Sequence, residues 1–250
     1  MNDAAREIKA VRADTQVRTV EFDFTKTQNA HSVEDYQKGI VDKINDLDIS
    51  ILINNAGYLV PGDFERVSLE EHKAMLDVGI MPATMLTKLL TDKMLSRATG
   101  GVLGDKLQAN LPGKRTAVMF VTSVQAQAPI AGTATYGAAK VYMDYLAKAL
   151  AHEQRECMDV MTYQCGLVAT KMIGYDSTKP STLYQKLFCI NPEQAAQRAL
   201  SDLGFEFWSH GHIRHDIYAM FVRQMATTWF LAPAFNKAAS AKANHALAKL

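Results

Sequence analysis

Ile49-Ser50-Ile51-Leu52-Ile53-Asn54-Asn55-Ala56-Gly57 is an apolar run of strand length closed by a small-residue turn, and the same punctuation returns twice downstream. Ala117 to Val121 runs into Ser123, and Val160 to Tyr163 runs into Gly166-Leu167-Val168-Ala169-Thr170. Between the runs lie long stretches with helical composition. The pattern reads as a strand at Arg18–Asp23, a helix at Val33–Asn45, a strand at Ile49–Asn54 and a helix at Leu69–Arg97. A strand at Ala117–Ser123, a helix at Ala134–Gln154 and a strand at Asp159–Gln164 follow. Alternation of short apolar strands with helices specifies an α/β fold with a doubly wound parallel sheet. Ser68-x-x-Glu71 is a capping box for the helix at Leu69, and Asn191-Pro192-Glu193 opens another helix.

Chemistry concentrates in Tyr136-Gly137-Ala138-Ala139-Lys140, with Ser123 thirteen residues upstream. On a helix, residues four apart share a face, so the Lys140 ammonium reaches the Tyr136 phenol. A neighbouring cation favours phenolate and is expected to lower the tyrosine pKa from about 10. Tyr136 then serves as a general acid or base for interconverting a carbonyl and an alcohol, and Ser123 is placed to hydrogen-bond the substrate oxygen. A bare Tyr-x-x-x-Lys is common by chance, and its value here comes from the surrounding runs.

Order and spacing of Asn54-Asn55-Ala56-Gly57, Ser123, Tyr136/Lys140 and Gly166 to Thr170 resemble the short-chain dehydrogenase/reductase family, whose fold is Rossmann-like. The resemblance implies Ser123, Tyr136 and Lys140 as catalytic residues. It further implies that Asn55, Ala56 and Gly57 support the cofactor pocket, and that Val168 and Thr170, with Tyr136 and Lys140, contact bound NADP or NAD. Asp23, ending the segment that resembles the family's third strand, would approach the adenine. Val168-Ala169-Thr170-Lys171-Met172, Asn191 to Ala196, Leu203-Gly204 and Gly211-His212 are similar to the 17-beta-hydroxysteroid dehydrogenase and very-long-chain 3-oxoacyl-CoA reductase branch.

Three departures accompany the matches. The family's first strand carries a glycine-rich turn where backbone N–H groups and a helix N-terminus meet the dinucleotide diphosphate. No such turn occurs here, and Gly100-Gly101-Val102-Leu103-Gly104 lies mid-chain, where it reads as a surface loop. Only 22 residues precede Asp23, so the first strand, first helix and second strand are expected to be absent. In the family those strands sit between Arg18–Asp23 and Ile49–Asn54. Their loss requires Arg18–Asp23 to move over and pair with Ile49–Asn54, another polypeptide to fill the gap, or an open edge; the first two are expected, because an open apolar edge invites aggregation. Second, Gly79 in Leu76-Asp77-Val78-Gly79-Ile80 stands where the family places a catalytic Asn, and it costs a helix about 1 kcal/mol relative to alanine. Third, Cys165 stands where the family prefers Pro.

The chain has 250 residues, 48% hydrophobic and 21% charged, which describes one domain with a sizeable core over 1–250, extended by an apolar helical segment at 217–250. A net charge of +1 with no basic stripe argues against a nucleic-acid surface. Cys157, Cys165 and Cys189 lack metal-ligand spacing and imply a reducing, intracellular compartment. His210, His212 and His215 read as a solvated turn in preference to a metal site. No secretory or transit pattern is visible at the start. The segment from Ile217 to Phe235 reads as a core or dimer-packing helix, with a membrane- or partner-facing surface as the alternative. The tail from Ala234 to Leu250 reads as an exposed helix or frayed end.

Two stretches fall between elements. Thr99 to Arg115 reads as an inserted loop, and Tyr175 to Phe188 occupies the position of the family's substrate lid.

The functional expectation is NADP(H)-dependent carbonyl reduction or alcohol oxidation on a steroid-like or fatty-acyl substrate. Its alternative is a catalytically silent accessory subunit of a larger assembly, and a binding module without turnover is a third. The implied partners are a homodimer mate, through Leu69–Arg97 and Ala134–Gln154, or other subunits. The endoplasmic reticulum membrane surface is the location implied by resemblance, and a mitochondrial membrane complex is the alternative.

Overall fold

The computed structural model of the chain describes residues 2–25, 32–99, 115–173, 183–228 and 231–249. An exposed helix α1 (Asn2–Val11) comes first, then α2 (Val33–Tyr36), which continues as a π turn over Gln37–Val41 and a 3-10 turn over Asp42–Ile44. The central region runs β1 (Ile51–Asn54), α3 (Leu69–Gly79), α4 (Met81–Thr99), β2 (Thr116–Val121), α5 (Ala134–Glu153) and β3 (Met158–Tyr163). Short β4 (Leu167–Val168), α6 (Leu183–Phe188) and β5 (Cys189–Ile190) lead to α7 (Pro192–Asp202), β6 (Trp208–Ser209), α8 (Ile213–Thr227) and α9 (Ala232–Leu247).

The main sheet is parallel with order β1-β2-β3-β6, and Ile51 is in register with Ala117 and Thr116 with Met158. Strands covered on both faces need near-continuous apolar sequence, which is why Ala117 to Phe120 are all buried. Alternation along the strands divides the core. Val118, Phe120, Met158 and Val160 pack under Leu90 and Met94 of α4 and Met143 and Ala147 of α5. Met119, Met161 and Tyr163 face the opposite way, against Ala199 of α7.

Several expected elements differ from the structure. Leu69–Arg97 is two helices, with Ile80 between them at φ −115°, because Pro82 has no N–H for the preceding turn and its ring crowds it. Leu69–Thr99 as a whole is long and apolar enough to cross a membrane, but 44% of its most apolar window is buried inside this fold. Val33–Asn45 is helical but widens to a π turn where Phe22 lies on Gly39; a Cβ there would stand 2.6 Å from the ring. Asn191 caps α7 as expected, although its reciprocal partner is Gln194, not Glu193.

Arg18–Asp23 forms no strand. The segment is held elsewhere: Arg18 donates to the Lys43 carbonyl at 2.9 Å and pairs with Asp46, while Phe22 and Phe24 stack around Tyr36 at 5.4 and 6.3 Å. Among the described residues β1 therefore has a ladder partner only in β2. No described strand pairs with its other edge, and Ile51 and Ile53 are 51% and 45% exposed. The expectation that Arg18–Asp23 would close this edge is overturned by the charge and aromatic anchors that draw it to α2.

The C-terminal tail is not frayed. Asp63 accepts from Ser240 at 2.6 Å and Asn244 at 2.6 Å, its amide donates to Asn244 Oδ1 at 2.8 Å, and Ala131 N donates to Asn236 at 2.9 Å. Gly132, at φ 79°, lets Ala243 pack where any Cβ would sit 2.3 Å away. In α8, Tyr218, Ala219, Val222 and Ala226 are buried as a core helix requires, while Ile213, Ile217, Met220 and Phe221 are exposed. Positions 100–114 and 174–182, which carry the expected inserted loop with its glycine cluster and most of the expected lid, lie outside the described residues, as do 229 and 230 of the apolar segment.

Candidate active site

The C-terminal ends of β1, β2 and β3 open onto one cavity of about 760 Å³, the position at which parallel sheets present ligand sites. Asn55, Ala56 and Gly57 leave β1, Ser123 leaves β2, and Cys165 to Thr170 follow β3. Tyr136 and Lys140 come from the first two turns of α5. Thr133 fixes the start of that helix by donating to Gln125 Oε1 at 2.8 Å.

Ser123 is buried and caps a 3-10 turn, its Oγ accepting from Gln125 N at 3.2 Å. Lys140 is 4% exposed; its Nζ donates to the Val121 carbonyl at 2.8 Å and lies 5.6 Å from the Tyr136 ring centroid. The ammonium thus sits over the ring face. Burial pushes the Tyr136 phenol well above its ordinary value, and a hydrogen bond with Ser123 opposes the shift. Burial also pushes Lys140 down. The expected lowering of the phenol is accordingly reversed: desolvation is the largest effect on it and acts upward. Burial thus favours the neutral form of the phenol.

Eight of the nine sequence-assigned residues line this cavity: Ser123, Tyr136, Lys140, Asn55, Ala56, Gly57, Val168 and Thr170. Asp23 does not. It is exposed and accepts from Thr25 N at 2.9 Å and Thr25 Oγ1 at 2.7 Å. Cys165 lines the cavity beside Lys140 and Tyr136, and its thiol donates to the Thr122 carbonyl at 3.4 Å. Gly79 sits where α3 meets α5, and a Cβ would stand 3.0 Å from the Cβ of Ala139. A glycine there permits close helix packing directly behind Lys140.

The histidines are not a solvated turn. His215 is fully buried and His210 is 6% exposed, because α8 folds back onto Gly166 and Leu167. That packing comes from a segment 48 residues away and leaves no local sequence signal. Among the described residues no group of His, Cys, Asp and Glu is arranged to hold a metal.

The residues fit the reacting end of a nicotinamide dinucleotide. Gly57 lies beside Lys140, whose Nζ is 3.4 Å from where a Cβ would be, and Val168 and Thr170 line the same cavity. The diphosphate end is unprovided among the described residues. Of the helices whose first turns line the cavity, α7 begins with Pro192, which has no N–H, and its Gln194 amide is already bonded to Asn191 at 2.7 Å.

The profile of the short chain dehydrogenase family matches residues 1–104 and 105–180, and the chain belongs to that family. Hydroxysteroid dehydrogenase-like protein 1 of Gallus gallus is 28% identical over 209 residues, covering 82% of this chain and 57% of the relative. Very-long-chain 3-oxoacyl-CoA reductase of Coccidioides immitis is 24% identical over 225 residues, covering 84% and 57%. The chain thus spans less than two thirds of the length of these relatives. A solved structure from work on 7beta-hydroxysteroid dehydrogenase stereoselectivity shares the fold with TM-score 0.69 at 19% identity, over 88% of this chain and 75% of its own.

Proposed function

We propose that this chain carries the reacting end of a carbonyl reductase or alcohol dehydrogenase site, NADP(H)-dependent and acting on a steroid-like or fatty-acyl ketone. The convergence of Ser123, Tyr136 and Lys140 in one cavity carries the reading. Leu59, Leu167, Met172, Leu200 and Tyr218 supply apolar lining suited to a lipid-like body, and the names of the relatives agree with it. A bound nicotinamide dinucleotide supplies the hydride for reduction or accepts it in oxidation. Within the protein, the Ser123 hydroxyl holds the substrate oxygen. The neutral Tyr136 phenol donates its proton to that oxygen as the carbonyl carbon is reduced, and Lys140 stabilises the phenolate left behind. Burial favours the protonated phenol, the form this acid role requires.

The test is NADPH oxidation with a panel of steroid and 3-oxoacyl ketones, comparing this chain with Tyr136→Phe. Equal rates in both would sink the assignment. A second reading, a catalytically silent accessory subunit, is favoured by the unprovided diphosphate end and by Gly79 at the relay position. It predicts no turnover with any substrate.

Exposed Leu76, Val141, Tyr142 and Tyr145 on α3 and α5 support pairing with a second copy or another subunit. The exposed Ile217, Met220 and Phe221 support contact with a membrane, at the endoplasmic reticulum on the lipid-reductase reading or in a mitochondrial complex on the accessory one.

A further inference from the structure

Behind the catalytic residues a chain of hydrogen-bonded side chains runs from Lys148 on α5 to Asp216 on α8. Lys148 Nζ donates to Asp144 Oδ2 at 2.7 Å, and Asp144 Oδ1 accepts from Thr162 Oγ1 at 2.9 Å and Gln164 Nε2 at 2.7 Å. Gln127 Nε2 donates to Gln164 Oε1 at 2.5 Å and lies 2.7 Å from His210 Nε2, while His210 Nδ1 lies 2.7 Å from Asp216 Oδ1. Most of the interior is closed to water: Gln164, His210 and Asp144 are 2%, 6% and 8% exposed, and Gln127 is partly buried. Both ends reach solvent, with the Lys148 and Asp216 side chains 39% and 51% exposed.

Every direction in this chain is forced. An ionised Asp144, paired with Lys148, only accepts, so Gln164 must turn its amide nitrogen toward it. The Gln164 oxygen then faces Gln127, which must present its own nitrogen. Its second proton meets His210 Nε2, so that atom must carry a lone pair and the ring proton must sit on Nδ1, donated to Asp216.

The anchors are the segments that carry the site. Gln127 closes the turn that starts at Ser123, its amide bonded to the Val124 carbonyl at 3.1 Å. Asp144 is one turn beyond Lys140 on α5. Thr122, immediately before Ser123, joins through Thr162 at 2.9 Å, and Gln164 immediately precedes Cys165.

We propose that Gln164 and His210 are positioning residues of the active site, holding the Ser123 turn and the Tyr136/Lys140 helix in register only while His210 is a neutral Nδ1–H imidazole. An imidazolium turns Nε2 into a donor aimed at the donor of Gln127. Flipping Gln127 sets two amide oxygens face to face, and flipping Gln164 as well sets its oxygen on the Asp144 carboxylate. Acid therefore breaks the chain or demands a second proton at Asp144. The titratable groups that face His210 from α8 are Asp216 and His215, with His212 just ahead of that helix. Asp202 on α7 reaches this region through Ser209, and the Trp208 ring packs edge-on at 4.8 Å.

The positioning role rests on the proposed carbonyl chemistry for its consequence, but its test does not need turnover. On the ¹⁵N-labelled chain, two-bond ¹H–¹⁵N spectra report the His210 tautomer and amide exchange reports protection of the Val124–Gln127 turn, from about pH 5 to pH 8. The expected result is an Nδ1–H tautomer at the upper end, with protection falling at least about tenfold as His210 titrates. Gln164→Leu should lack that protection at every pH. His210→Gln, whose amide oxygen stands where Nε2 stood and does not titrate, should keep the protection and lose the step. An Nε2–H tautomer at the upper end, or a step that survives in His210→Gln, overturns the proposal, even where Gln164→Leu does not fold. If the wild type reduces ketones, kcat should follow the same step with KM little changed; a wild type without turnover overturns the carbonyl-reductase reading and leaves the spectra to decide this one.

Discussion

His215 Nδ1 accepts from the Gly166 amide at 3.1 Å while its Nε2 donates to the Leu167 carbonyl at 3.1 Å, so one buried imidazole clamps the backbone that leads into Val168 and Thr170. Both bonds require the neutral Nε2–H tautomer. Burial lowers the His215 pKa, and the bond its Nε2 donates to the Leu167 carbonyl opposes that shift. A group depressed on folding contributes stability above its unfolded value, about 6.5, and loses it as pH falls through the folded value. Thermal unfolding should show Tm declining below about pH 6.5, and His215→Gln should lower Tm at neutral pH while flattening that decline. An unchanged acid limb in His215→Gln would show that other groups drive it.

Lys140 is buried, its Nζ bonds to the Val121 carbonyl, and among the described residues no carboxylate is paired with it. Lys140→Met should therefore abolish turnover and raise Tm by a few degrees, since a buried charge replaced by an apolar chain of similar volume commonly gains about 1 kcal/mol or more. Tyr136→Phe should also abolish turnover, with little change in Tm. A Lys140→Met protein that unfolds more easily would show that the ammonium is structural.

Gly79→Asn does not simply restore the relay residue of the family. The new Cβ would fall 3.0 Å from that of Ala139, and overpacking at a buried helix crossing costs about 1–3 kcal/mol. Denaturant midpoints should fall in Gly79→Asn and recover in part when Ala139→Gly is added. Additive losses in the double variant would show that the two positions are not coupled.

Much of this was legible in sequence because strand runs and the Tyr136/Lys140 spacing encode local geometry. Arg18–Asp23 misleads because its alternation of apolar and polar residues matches a strand, while Arg18 and Phe22 are consumed by Asp46 and Tyr36. Gly79 reads as a defect until Ala139 is placed against it. The polarity of the histidines misleads in the same way: His210 and His215 are buried only because α8 returns to β3, a contact set by packing and absent from any local pattern. Neighbouring charge led to the wrong sign for Tyr136, because the depth of a residue is not written beside it.

Cofactor affinity tests the unprovided diphosphate end. Each lost charged hydrogen bond costs about 1.5–3 kcal/mol, so two or three missing donors move a micromolar site beyond about 1 mM. Calorimetric titration of the 250-residue chain with NADPH and NADH should show no micromolar binding. Micromolar affinity would require donors from outside the described residues.

The open edge of β1 bears on assembly. Ile51 and Ile53 are 51% and 45% exposed and lie on the same face as Met119, which is in register with Ile53, so the uncovered strand extends the apolar face under α7. An edge with free N–H and C=O groups and exposed isoleucines templates pairing with another chain. Tyr145 on α5 is 78% exposed and marks the competing helical surface. Light scattering across a concentration series should show self-association that Ile51→Lys suppresses, since a charge there must be desolvated in any strand-to-strand contact. Tyr145→Lys should leave that association intact. If Tyr145→Lys abolishes it and Ile51→Lys does not, the helices α3 and α5 make the contact and the open edge is tolerated in water.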